Sequence, residues 1–214
     1  MIKIENVDVY GWEAAIRGAR NPMNSWDKSD SLISETWRNG EPILHDIKLG
    51  PNDRKLLRNL ANAGPDHGKF LRMITVSLDI TAPLYWWKEA DTYKVGTVAN
   101  SCSTMHKIHA KEFTLDDFSH EHMSCDAIRI LEEIIAFLNQ RRCDFLEANR
   151  KIYWWDMIQL LPTSYNQRRT VLLNYQVLKS MYHARKNHKL DCWREFCEWT
   201  ETLPYAKELI CGVD

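Results

Sequence analysis

The stretch from Ile74 to Ile80 constrains the fold more than any other part of the chain. Ile74, Val76, Leu78 and Ile80 alternate with Thr75, Ser77 and Asp79, the period of a strand that buries one face and wets the other. Ala82-Pro83 closes it, because proline has no N–H to give to a ladder. Ile2, Ile4, Val7 and Val9 predict a first strand, broken near Glu5. Helical spacing predicts a short helix over 12–20. A second covers 53–62, with Leu56, Leu57 and Leu60 on one face and Asn52 or Asp53 near its cap. A long helix over 124–149 carries Ile128, Leu131, Ile134, Ile135 and Leu138. Residues 166–186 read as a further helix striped by Val171, Leu172, Leu178 and Met181. A last one, from 191 to about 201, carries Trp193, Phe196 and Trp199. NPMNSWDKSDS, over 21–31, reads as a polar loop or mobile flap. No repeat or linker interrupts the 214 residues, so the chain reads as a single helix-rich α+β domain.

Composition narrows the function classes. The net charge of −1 offers no bulk attraction for nucleic acid. No apolar run is long enough to span a bilayer, and the N-terminus alternates like a strand of the mature fold. The six cysteines form no CxxC pair and read as reduced thiols in a cytoplasmic protein. Nine tryptophans are many for this length, and such rings often line interfaces or ring-binding pockets.

Several chemistries find no support in the motifs. His106 and His109, and His120-Glu121-His122, lack the spacing of a zinc site and read as surface histidines. There is no GxSxG. Cys102 and His106 share a face only if that segment is helical, and Cys102 reads better as a small residue packed at a helix start. There is no glycine-rich phosphate loop. Anion binding falls instead to Lys88, Lys94 and Arg185, with the hydroxyls of Thr97, Ser101 and Ser103. TVANSCS, over 97–103, could add backbone N–H groups at a helix start. PLYWWKEADTYK (83–94) sets two tryptophans beside these donors, and HARKNHKLDCW (183–193) gathers two histidines, Arg185 and two lysines.

Taken together, these stretches resemble the flavin-dependent thymidylate synthases, in which a strand and a proline precede an RQWxRHRxxSxNExS motif. Lys88 and Glu89 stand at its R and Q, Thr92-Tyr93-Lys94 at RHR, and Thr97 at the serine. With one residue inserted, Asn100, Ser101 and Ser103 echo NExS. Leu161-Pro162 leads to Tyr165, Asn174 is followed eleven residues on by Arg185, and His188 and Trp193 follow, as in the family's second half. The resemblance spans roughly residues 65–200.

It implies an α+β fold with an antiparallel or mixed sheet and long helices. It also implies a homotetramer and methylation of dUMP from methylenetetrahydrofolate, with NADPH as reductant through FAD. Tyr93, Asn174 and His188 would then touch FAD. Lys88, Glu89, Lys94, Thr97, Ser101, Ser103 and Arg185 would touch the nucleotide, and the 83–107 aromatics would pack on ligand rings. The departures are chemical: Thr-Tyr-Lys replaces RHR, Ser101 replaces the acid, and Cys192-Trp193-Arg194-Glu195-Phe196 ends in Phe. Lysine cannot reproduce the bidentate geometry of arginine. The altered motif therefore also fits a non-catalytic nucleotide- or flavin-binding homo-oligomer on the same fold.

Overall fold

The computed structural model describes residues 2–38 and 41–212. The elements run β1 (Lys3–Tyr10), α1 (Trp12–Arg20), β2 (Leu32–Arg38), β3 (Glu41–Lys48), α2 (Pro51–Asn62), β4 (Thr75–Pro83), α3 (Leu84–Ala90) and β5 (Val98–Ser101). They continue with α4 (Cys125–Ala148), α5 (Lys151–Gln159), β6 (Asn166–Asn174), α6 (Tyr175–Arg185) and α7 (Asp191–Glu201). One sheet has the order β1-β4-β6-β5, and β2 pairs antiparallel with β3 in a second. The chain forms two compact units. One holds Ile80–Thr92 and Asn100–Arg169; the other holds Ile4–Asp79, Tyr93–Ala99 and the chain from Thr170 onward.

The alternation in β4 is realised. Val76, Leu78, Ile80 and Ala82 are buried while the residues between them are partly exposed. The strand stops at Pro83 as expected, and α3 starts at once. The N–H groups of Leu84 and Tyr85 donate to the carbonyls of Tyr165 (3.0 Å) and Thr163 (3.1 Å), partners that a helix start needs. The break in β1 falls at Asn6, which holds φ 52°, a backbone region that asparagine tolerates.

Helices 12–20, 124–149 and 191–201 form as the spacing predicts. The expected helix over 166–186 is corrected: 166–174 is strand β6. Gln167, Val171 and Leu173 are buried while Arg168, Thr170 and Leu172 are exposed, a period of two. Asn174 ends the strand and caps α6 by accepting the Val177 N–H at 2.9 Å. In the unit that holds it, α4 begins at Ser124, whose hydroxyl accepts from the Ala127 N–H, and buries Leu131, Ile135 and Leu138 with Phe113, Phe118 and Met157.

The cap expected at Asn52 or Asp53 is also corrected. Gly50 is the N-cap of α2, and the Asp30 carboxylate supplies the missing acceptors, taking the N–H groups of Asn52 (2.9 Å) and Asp53 (3.0 Å). Asp53 itself turns inward against Arg20, with Nε to Oδ1 at 2.6 Å and side chains 4% and 0% exposed. Arg20 also donates to the carbonyls of Ser25 and Lys28. The other Asp53 oxygen accepts from the hydroxyls of Ser29 and Ser31 and the N–H groups of Asp30 and Ser31. Segment 21–31, read as a loop or flap, is thus two 3-10 turns fastened to a buried ion pair.

Burial alone would raise the Asp53 carboxyl. The Ser31 hydroxyl, the Asp30 N–H, Arg20 and the Ser29 hydroxyl outweigh it and hold that carboxyl below its ordinary value. A folded pKa below the unfolded one gives stability that is full at neutral pH and lost as pH falls through the folded value. Asp53→Asn leaves Arg20 buried without its counter-charge and is expected to cost about 3 kcal/mol at pH 7 in urea unfolding. The gap to wild type should narrow in titrations carried below the ordinary carboxylate pKa of about 4. A pH-independent gap would show that the charge is not what matters.

The cysteines divide evenly. Cys102, Cys125 and Cys143 are exposed, and Cys192, Cys197 and Cys211 are buried. Burial pushes the thiols of Cys192 and Cys197 up to about 11 and about 12. A thiol-reactive chromophore at pH 8 should therefore titrate the three exposed cysteines of the native protein rapidly, and the other three only on unfolding.

Candidate functional site

Within the unit holding 93–99 and 170 onward, α6 delivers Arg185 at its last turn. Its Nε donates to the Tyr93 hydroxyl at 3.0 Å. Its guanidinium carbon lies 4.9 Å from the Trp193 ring centroid and 5.7 Å from that of Tyr93. Trp193 is fully buried in α7 and meets Tyr93, His188 and Phe196 edge-on. A guanidinium so placed has already lost most of its rotamer freedom, which lowers the entropic cost of gripping a planar or anionic group.

The turn bearing Tyr93 is held from beneath by Asn174. This buried side chain donates through Nδ2 to the carbonyls of Val95 (3.2 Å) and Gly96 (3.3 Å), while its Oδ1 caps α6. Thr97 closes the same turn by donating its hydroxyl to the Tyr93 carbonyl at 3.1 Å. Lys94 projects from the turn and is exposed. The Leu190 N–H donates to His188 Nδ1 at 3.2 Å. Tyr93, Lys94, Thr97, Asn174, Arg185 and His188 thus share one unit.

The other four residues singled out from sequence lie in the other unit. Lys88 and Glu89 sit in the last turn of α3, and Ser101 and Ser103 are exposed at and after the end of β5. The Ser103 hydroxyl oxygen accepts the N–H groups of Met105 and His106. Residues 98–101 are strand, not the helix start expected over 97–103, so no helix N-terminus faces an anion there. Cys102 is exposed, and its N–H donates to Arg168 O in a ladder-like contact. The shared helical face proposed for Cys102 and His106 therefore does not exist. Among the described residues no three metal-ligating side chains converge, and no helix is long and apolar enough to cross a membrane.

Within 83–107, the two tryptophans are core residues and not part of the expected ring-binding wall. Trp86 and Trp87 are 1% and 3% exposed. The Trp87 indole N–H donates to the Gln167 carbonyl, and Arg169 lies 4.2 Å above its ring while pairing with Asp91 at 2.8 Å. They pack the core and anchor β6. Sequence reasoning missed Gly96, whose φ of 72° and contact with Asn174 make the turn possible. Its position in a turn-like run of small residues was the only hint.

No family model and no curated protein matches the chain. Solved structures do. The flavin dependent thymidylate synthase ThyX from Helicobacter pylori, complexed with FAD and dUMP, is 14% identical with a TM-score of 0.67, over 98% of this chain and 100% of that one. The UMP/dUMP methylase PolB from Streptomyces cacaoi, bound with 5-Br dUMP, is 15% identical with a TM-score of 0.63, over 100% of this chain and 96% of that one. The chain therefore has the α+β fold of the flavin-dependent thymidylate synthases.

Proposed function

We propose that this chain is a divergent flavin-dependent thymidylate synthase, a single functional domain that binds a pyrimidine nucleotide and methylates dUMP. The observation that carries the reading is Arg185, fixed by Tyr93 and Trp193 beside a turn whose Lys94 is exposed. The donor set fits a planar ligand bearing phosphate. The guanidinium offers a fork to a carbonyl or phosphate, and the ammonium neutralises charge. Support comes also from the shared fold, since the ThyX neighbour is complexed with FAD and dUMP and PolB is bound with a uridine nucleotide analogue.

Under this proposal Arg185 and Lys94 hold the nucleotide, and His188 and Tyr93 flank FAD. Bound flavin supplies the redox chemistry, with NADPH and methylenetetrahydrofolate as co-substrates. Thr97 serves chiefly to shape the turn, because its hydroxyl proton is given to Tyr93. Lys88, Glu89, Ser101 and Ser103 are proposed to reach nucleotide in a neighbouring subunit of a cytoplasmic homotetramer.

A second reading is a non-catalytic nucleotide- or flavin-binding homo-oligomer. One observation favours it: the Thr92 hydroxyl donates to the Glu89 carbonyl at 2.7 Å, so the first position of the altered triplet caps a helix and brings no cation. Turnover separates the two. An enzyme oxidises NADPH and methylates dUMP once loaded with FAD; a binder holds ligand and does neither.

In calorimetric titration the protein is expected to bind dUMP. Arg185→Ala should weaken that binding by about 30-fold, the loss of one charge-assisted contact of about 2 kcal/mol. Unchanged affinity would remove Arg185 from the site, and absence of dUMP binding by the wild type would defeat the nucleotide reading.

A further inference from the structure

We infer that Asn174 is a positioning residue, which sets where the Arg185 guanidinium sits by clamping the turn that carries Tyr93. The inference rests on the nucleotide reading above for its consequence, but its geometry stands alone. One amide side chain governs both ends of a closed ring of contacts. Oδ1 takes the Val177 N–H and so fixes the start of α6. Nδ2 spends both of its hydrogens on the carbonyls of Val95 and Gly96 and so fixes the turn. Eleven residues beyond Asn174, at the other end of the same helix, Arg185 donates back to Tyr93 on that turn. Helix, guanidinium, phenol, turn and amide therefore close on one another. A shift of the turn moves the acceptor on which the Arg185 Nε–H depends.

Gly96 makes the clamp possible. A Cβ there would lie 2.8 Å from Asn174 Nδ2, closer than carbon and nitrogen tolerate, and the φ of 72° disfavours any other residue. The amide and the glycine thus form a fitted pair. With its donors committed inside the protein and 4% of its surface exposed, Asn174 acts on a ligand through Tyr93 and Arg185. It is not a group that meets the flavin.

Asn174→Asp tests this cleanly. The aspartate keeps the acceptor that caps α6 but points an oxygen at two carbonyls, so the cap survives and the clamp does not. Gly96→Ala attacks the same contact from the other side, should the first variant fold poorly. Two readouts are taken on the full-length protein. In the absence of ligand, the Nε–H resonance of Arg185, identified by its loss in Arg185→Lys, should be shifted and exchange faster in Asn174→Asp, as in Tyr93→Phe. An unperturbed resonance in both clamp variants overturns the inference whether or not nucleotide binds.

With ligand, Asn174→Asp should weaken dUMP binding about tenfold, the size of one hydrogen bond to a charged group. The double variant with Tyr93→Phe should be no weaker than the worse single, because both act on one guanidinium. Additive losses, or a loss confined to FAD, would make Asn174 a direct contact and sink the inference. Failure of the wild type to bind dUMP counts against the nucleotide reading, and the Arg185 resonance then decides the clamp.

Discussion

Burying Asp53 against Arg20 is the constraint on which one half of this protein is built. Taking two opposite charges out of water is costly, and their attraction offsets that cost only when the remaining donors and acceptors are satisfied. Here they are: the guanidinium is shared among a carboxylate and two carbonyls, and the carboxylate collects hydroxyls and N–H groups from Ser29 to Ser31. The result ties the end of α1 and the start of α2 to the segment over 21–31. Asp30 completes the knot by capping α2 from outside the helix. Polar composition alone thus does not imply mobility, because these polar groups spend their hydrogen bonds on the fold.

Asn174 solves a similar problem on a smaller scale. It marks the point where a strand becomes a helix, and its amide serves both the new helix and the turn opposite. The side chains of Tyr93 and Lys94 are therefore carried on a backbone whose shape is set elsewhere, by Gly96 and Asn174. Such an arrangement separates scaffold from chemistry.

Much of the scaffold was legible in the sequence, and the failures have physical causes. The strand before Pro83 and the helices at 12–20, 124–149 and 191–201 follow from single, unambiguous periods. Residues 166–174 do not, because in QRRTVLLN the adjacent apolar residues suit either period, and only the Asn174 cap reveals where the helix begins. Trp86 and Trp87 misled for another reason: a polar neighbourhood in sequence says nothing of what a seven-residue helix turns inward. The cluster of Tyr93, Asn174 and Arg185 was named from motif order. Its contacts, and the roles of Gly96 and of the Arg20–Asp53 pair, depend on tertiary approach that no local pattern encodes.

The tryptophan pairs have an optical consequence. Trp86 with Trp87 and Trp154 with Trp155 each place two indoles 4.8 Å apart, at 80° and 69°. The intense far-ultraviolet transition dipoles of indoles so close and so inclined couple as excitons and give a split band in far-ultraviolet circular dichroism. All four rings belong to the unit holding 80–92 and 100–169. That couplet is a built-in spectroscopic reporter of one half of the molecule, silent to the half organised by Asp53.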